Sequence, residues 1–151
     1  MGIKVIATNR KARHQYNFYD TIEAGLVLQG SEIKSIRAGR VSLQEGFVLF
    51  ADGEAWLVNV YIAPYDPASG QNHEPRRRRK LLLHRREIDR LQGRAQEKGY
   101  TVIPTKLYLK DGRAKVEIAL ARGKKMYDKR QDLAKRDSKR RMERALKERT
   151  S

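Results

Sequence analysis

Cations, amides and aromatic rings crowd together at three places in this chain, and groups of that kind suit polyanions. In Asn9-Arg10-Lys11-Ala12-Arg13-His14, an amide and three cations precede Tyr16, Phe18 and Tyr19, a mixture able to grip phosphates and stack bases. Arg76-Arg77-Arg78-Arg79-Lys80 sets five cations in a row ahead of Leu81-Leu82-Leu83. Adjacent positive charges repel unless an anion lies close, and a phosphate backbone supplies one, so Arg76, Arg77, Arg78 and Lys80 are candidate RNA contacts. Gly123-Lys124-Lys125-Met126-Tyr127-Asp128-Lys129-Arg130 places one ring among cations, where stacking and phosphate contact act together. Each run has a plainer reading as a solvated arm, loop or tail, so the elements that carry them matter.

Catalytic chemistry has little to work with. Cysteine is absent, which removes disulfides, thiolate nucleophiles and zinc ribbons and fits a reducing compartment. His14, His73 and His84 are the only histidines and show no metal-ligand spacing. Asp20 with Glu23, or Glu45 with Asp52, could be offered as metal carboxylates of a nuclease, yet they fall on ordinary strand and turn positions without a second cluster. No catalytic residue, metal or cofactor is expected.

Charge points to the partner. The chain has 151 residues and a formal net charge of +16, a field that attracts polyanions and weakens in salt. The last 30 residues hold 13 of the 34 Lys/Arg and 5 of the 18 Asp/Glu, so a fifth of the chain carries half the excess. Apolar residues there form no sustained helical stripe. Residues 122–151 are therefore read as a basic tail, disordered when free and able to become helical on an anionic surface. Residues 1–121 are read as a single folded domain. No apolar run approaches bilayer length and the N-terminus lacks a signal-peptide core, so a cytoplasmic monomer working away from membranes is expected.

The elements before the tail are mostly strand-like. Tyr16 to Asp20 alternates, and Glu23 to Leu28 reads as a second short strand. Phe47–Phe50 and Ala55–Tyr61 flank Asp52-Gly53, and Lys106–Lys110 and Arg113–Leu120 flank Asp111-Gly112, both suited to tight type I′ hairpins. Val116, Ile118 and Leu120 share one face while Lys115 and Glu117 take the other, as in a sheet covered on one side and free for a ligand on the other. A short helix capped by Ser31 buries Ile33 and Ile36, shows Lys34 and Arg37 to solvent and stops at Gly39. A longer one, Arg85–Lys98, buries Ile88, Leu91 and Ala95 and closes at Gly99. Ala63 to Pro75 reads as an irregular loop. Such strands with inserted helices predict a mainly β fold, an oligonucleotide-binding-type antiparallel β-barrel with peripheral helices and a basic C-terminal tail. Composition alone serves a ribosomal protein or a nonspecific single-stranded nucleic-acid binder equally well.

Four segments separate these readings. NRKARHQY (9–16), EAGLVLQGSEIKSIRAGR (23–40), RKLLLHRREIDRL (79–91) and ALARGKKMYDKRQD (119–132) resemble, in order and across nearly the whole chain, the SsrA-binding protein (small protein B) family. The resemblance implies a protein that grips the tRNA-like part of transfer-messenger RNA near its elbow, in place of an anticodon arm, and brings it to stalled ribosomes for rescue by trans-translation. It implies RNA contacts at Asn9, Lys11, Arg13, Glu23, Lys34, Arg37 and Leu82. It also implies a tail, Gly123, Lys124, Lys125, Tyr127, Asp128, Lys129 and Arg130 onward, that enters the small-subunit decoding centre and the empty messenger channel. Many family members carry His where Tyr127 stands, so a titrating role there is in doubt. An acid such as Glu23 repels phosphate; it can accept from a base amino group or a 2′-hydroxyl, or orient a neighbouring Arg.

Overall fold

In a computed structural model, residues 2–65, 72–97 and 99–124 are described. The chain runs β1 (Ile3–Thr8), α1 (Arg10–Gln15), β2 (Tyr16–Leu26), α2 (Gly30–Arg37), β3 (Val41–Ser42), β4 (Phe47–Ala51), β5 (Glu54–Val58), β6 (Tyr61–Ile62), β7 (Arg79–Leu82), α3 (Arg85–Ala95), β8 (Tyr100–Lys110) and β9 (Arg113–Gly123). Seven strands form one sheet in the order β1-β8-β9-β2-β7-β5-β4, and β3 pairs with β6; every ladder is antiparallel. The sheet curls until β4 lies against β8, but no ladder joins them, so the barrel is nearly closed rather than sealed.

Both Asp-Gly turns form as their chemistry demands. Asp52 and Gly53 have φ of 54° and 73°, Asp111 and Gly112 have 51° and 78°, the paired positive values of a type I′ turn. The barrel interior is filled by Ile36, Leu57, Val60, Leu81, Leu107, Val116, Ile118 and Leu120, all with no exposure, with Ile88 and Leu91 of α3 added from outside the strands.

Several expectations need correction. Tyr16–Leu26 is one strand, not two, because a bulge between Phe18 and Asp20 lets it bend without breaking. The run Ala55–Tyr61 is divided: Asn59, at φ 62°, ends β5, and Tyr61 joins β3 in the small ladder. Gln29, not Ser31, caps α2, exchanging bonds with Glu32 in a capping box, while Ser31 Oγ bonds His73 Nδ1 at 2.8 Å. The helix expected to reach Lys98 ends at Ala95. The β9 face opposite Val116 and Ile118 is free only in part, because Ala12 of α1 packs with Ile103 and Ala121 across it. β9 also passes Ala121: Arg122 pairs with Asn17 and Gly123 with Tyr16, and Lys124 N–H donates to Gln15 O at 2.5 Å.

Candidate nucleic-acid interface

The structure gathers the sequence-derived candidates into two clusters. The first stands where β2, β7, α2 and the β8–β9 turn meet. Gly25 pairs with Leu82 and Lys115, and a groove of about 300 Å³ is lined by Gly25, Leu28, Arg37, Leu82, Arg113 and Lys115, among others. Leu82 is 55% exposed, so its apolar side chain lies open beneath a cationic rim. Gly25 leaves room for the Leu82 side chain: a Cβ there would stand 3.3 Å from Leu82 Cβ. Glu23 lies two residues away on the same strand face. Its Oε1 accepts from the Tyr108 hydroxyl and its Oε2 lies 3.6 Å from Lys110 Nζ. The Tyr108 bond, with Lys110 and Lys115 behind it, outweighs desolvation and holds the Glu23 carboxyl below the usual carboxylate range. Burial, and then the Glu23 carboxylate, push the Tyr108 phenol above its ordinary value. Glu23 is thus an ionised acceptor with one oxygen fixed and the other near a cation. Its partners are a phenol and a lysine, not an arginine. Lys34 of α2 sits over the Tyr65 ring at 5.3 Å.

The second cluster is α1. Asn9 is buried and caps the helix: its Oδ1 accepts from Ala12 N–H at 3.2 Å, and its Nδ2 donates to Leu43 O at 3.2 Å and Pro104 O at 3.0 Å. These bonds engage its amide inside the fold, so Asn9 holds the turn that presents its neighbours. Lys11 and Arg13 are exposed, Lys11 bonding Glu45 at 3.0 Å.

The five-cation run does not act as one patch. Arg79 is fully buried and Arg77 partly so, and both bond the buried Glu32. Arg79 also donates to Val60 O at 2.8 Å and Pro75 O at 3.0 Å. The anion that offsets the repulsion is therefore supplied by the protein itself. Arg76 and Arg78 alternate outward: Arg76 donates to Asn59 Oδ1 at 3.0 Å and lies 5.5 Å from the Tyr61 ring, while Arg78 stacks 4.4 Å from the Trp56 ring. Lys80 Nζ stands 3.7 Å from Glu54. Residues 76–80 thus divide into structural cations (Arg77, Arg79), surface cations on aromatic supports (Arg76, Arg78) and Lys80, which faces Glu54. Sequence reading missed the supports Trp56 and Tyr61, and missed Arg113 and Lys115 on the groove. Period-two alternation from the Val116 face was the available signal for Lys115.

Of the tail candidates, Gly123 belongs to β9 and Lys124 is tied to Gln15; Lys125, Tyr127, Asp128, Lys129 and Arg130 lie outside the described residues. Among the described residues no cluster of three or more potential metal ligands occurs, and no helix is long and apolar enough to cross a membrane.

A curled antiparallel barrel with exposed cations on aromatic and apolar supports defines a small basic β-barrel protein of the nucleic-acid-binding kind. The chain belongs to the SmpB protein family, whose profile matches residues 6–148. Its relatives include the SsrA-binding protein of Roseiflexus sp. (strain RS-1), 62% identical over 148 residues, 97% of this chain and 94% of that protein. The SsrA-binding protein of Persephonella marina is 58% identical over 147 residues, 97% of each chain. The fold is also similar to a solved chain described as "tmRNA-SmpB: a journey to the center of the bacterial ribosome", with TM-score 0.70, 51% identity, and coverage of 82% of this chain and 86% of that one.

Proposed function

We propose that this protein binds the tRNA-like domain of transfer-messenger RNA (SsrA RNA) through its barrel and delivers it to stalled ribosomes for rescue by trans-translation. It acts in the cytoplasm as a binding protein without catalysis, and its tail from Lys125 onward probes the decoding centre and the vacant messenger channel. The observation that carries this reading is where two features fall on one ladder. The Leu82 groove adjoins the Gly25–Lys115 end of the β2–β9 pairing, and the tail departs from the Tyr16–Gly123 end. Nine residue steps along β2 lead from Tyr16 to Gly25, at most about 30 Å at roughly 3.3 Å each. The sheet therefore holds the Leu82 groove and the tail root apart, with α1 beside the root, an arrangement suited to carrying one RNA while reaching into another.

Physical roles follow for the named residues. Arg37, Arg113 and Lys115 offer phosphate contacts around an apolar floor at Leu82, and Lys34, Lys11 and Arg13 extend the cationic surface. Glu23, ionised and held by Tyr108, accepts from a base amino group or a 2′-hydroxyl. Arg76 and Arg78, backed by rings, are surface contacts; Asn9 and Arg77 support the surface from within.

Footprinting of full-length transfer-messenger RNA with the intact protein tests the assignment. Protection confined to the tRNA-like domain near its elbow is expected; protection scattered over the remaining helices would overturn it.

A further inference from the structure

Tyr19 has an unusual place on the barrel. It is the extra residue of the β2 bulge, between Phe18, which pairs with Ala121, and Asp20, which pairs with Leu120. Such a residue is released from the ladder and its side chain is re-aimed. Here the ring points out, 52% exposed, and meets Tyr100 edge-on with centroids 5.7 Å apart and planes at 61°. Arg122, the ladder partner of Tyr100, lays its guanidinium 5.8 Å from the Tyr100 ring. The neighbouring Asp20 is engaged by Arg90 at 3.3 Å, which reduces its repulsion of a phosphate. Two rings and a guanidinium therefore form an open corner, one residue before the tail root at Gly123 and six strand residues from Gly25, about 20 Å. An exposed ring held in place by a second ring, beside a cation, presents a flat face on which a base can stack while the cation takes its phosphate.

We propose that Tyr19, Tyr100 and Arg122 form a second RNA site, separate from the Leu82 groove, which stacks one unpaired base on Tyr19 and places its phosphate at Arg122. The inference rests on the reading that the ligand is RNA. The base has two possible sources, transfer-messenger RNA or ribosomal RNA, and two probes separate them: a transcript of the tRNA-like domain and vacant ribosomes, each titrated with full-length protein. Tyr19→Ala should weaken binding to one probe about 5- to 150-fold, as loss of a stacked base does. Tyr19→Phe, which keeps the ring, should stay within about twofold. The salt slope should be unchanged in Tyr19→Ala and shallower in Arg122→Ala, because only the second removes a phosphate contact. Tyr19 is exposed, so Tyr19→Ala should fold normally, with the circular dichroism spectrum as control. Unchanged affinity of Tyr19→Ala for both probes would overturn the site, as would equal losses in Ala and Phe variants. Either result would leave a wild-type preference for transfer-messenger RNA standing, so the two readings fail separately.

Discussion

Glu32 shows how a single residue changes the meaning of a sequence motif. Five consecutive cations do require an anion, and here it comes from α2, 45 residues before Arg77 and 47 before Arg79. Nothing local in the run could reveal that. The groove residue Leu82 was legible only through resemblance, since an exposed leucine beside two others reads as core; Lys115 was legible through strand alternation. Burial pushes the Glu32 carboxyl up, yet Arg77, the Gln29 backbone N–H and Arg79 outweigh it and hold the group below its ordinary value. A depressed folded value means the stabilisation is complete at neutral pH and is lost as acid carries the pH down through it. Replacing Glu32 with Gln keeps the shape but leaves the buried Arg79 uncompensated, which should cost about 3–5 kcal/mol. Urea unfolding at neutral pH checks this, and below the carboxylate range the gap between wild type and variant should shrink. A variant of wild-type stability would mean that Arg79 is satisfied by Val60 O and Pro75 O alone.

Among the elements, those with strong local chemistry were readable: the two Asp-Gly hairpins, the stripe of α3, and the stop at Gly39, which has φ 76°. Those that rely on distant partners were not. The six-residue α1 has one buried side chain, Ala12, so it carries no apolar stripe; Asn9 and its bonds to Leu43 and Pro104 hold it in place. β1 is an edge strand with Ile3 and Val5 largely exposed, and its identity comes from pairing with β8. The end of β9 was read too early because Arg122 and Gly123 resemble tail residues in type; only their pairing with Asn17 and Tyr16 assigns them to the sheet. A truncation separating barrel from tail therefore belongs after Lys124, where the last backbone bond to Gln15 is kept. The truncated protein should fold and keep its affinity for the tRNA-like transcript within about threefold, with little change in salt slope, since the groove residues remain, while rescue of stalled ribosomes is lost. Parallel loss of RNA affinity and rescue would show that barrel and tail are not separable units.

For the whole molecule, the issue is whether +16 charges act as a diffuse polycation or as a shaped surface. The described barrel argues for shape. Four of its surface cations are individually braced: Arg78 by Trp56, Arg76 by Asn59 and Tyr61, Lys34 by Tyr65, Arg122 by Tyr100. Bracing of this kind lowers the entropy lost when a rigid ligand is met and does little for indiscriminate attraction. The most direct test is competition between transfer-messenger RNA and bulk transfer RNA for the full-length protein at one fixed salt concentration. A shaped surface predicts tighter binding of transfer-messenger RNA by more than about tenfold, roughly 1.4 kcal/mol of discrimination. Equal affinities with equal salt slopes would contradict the account.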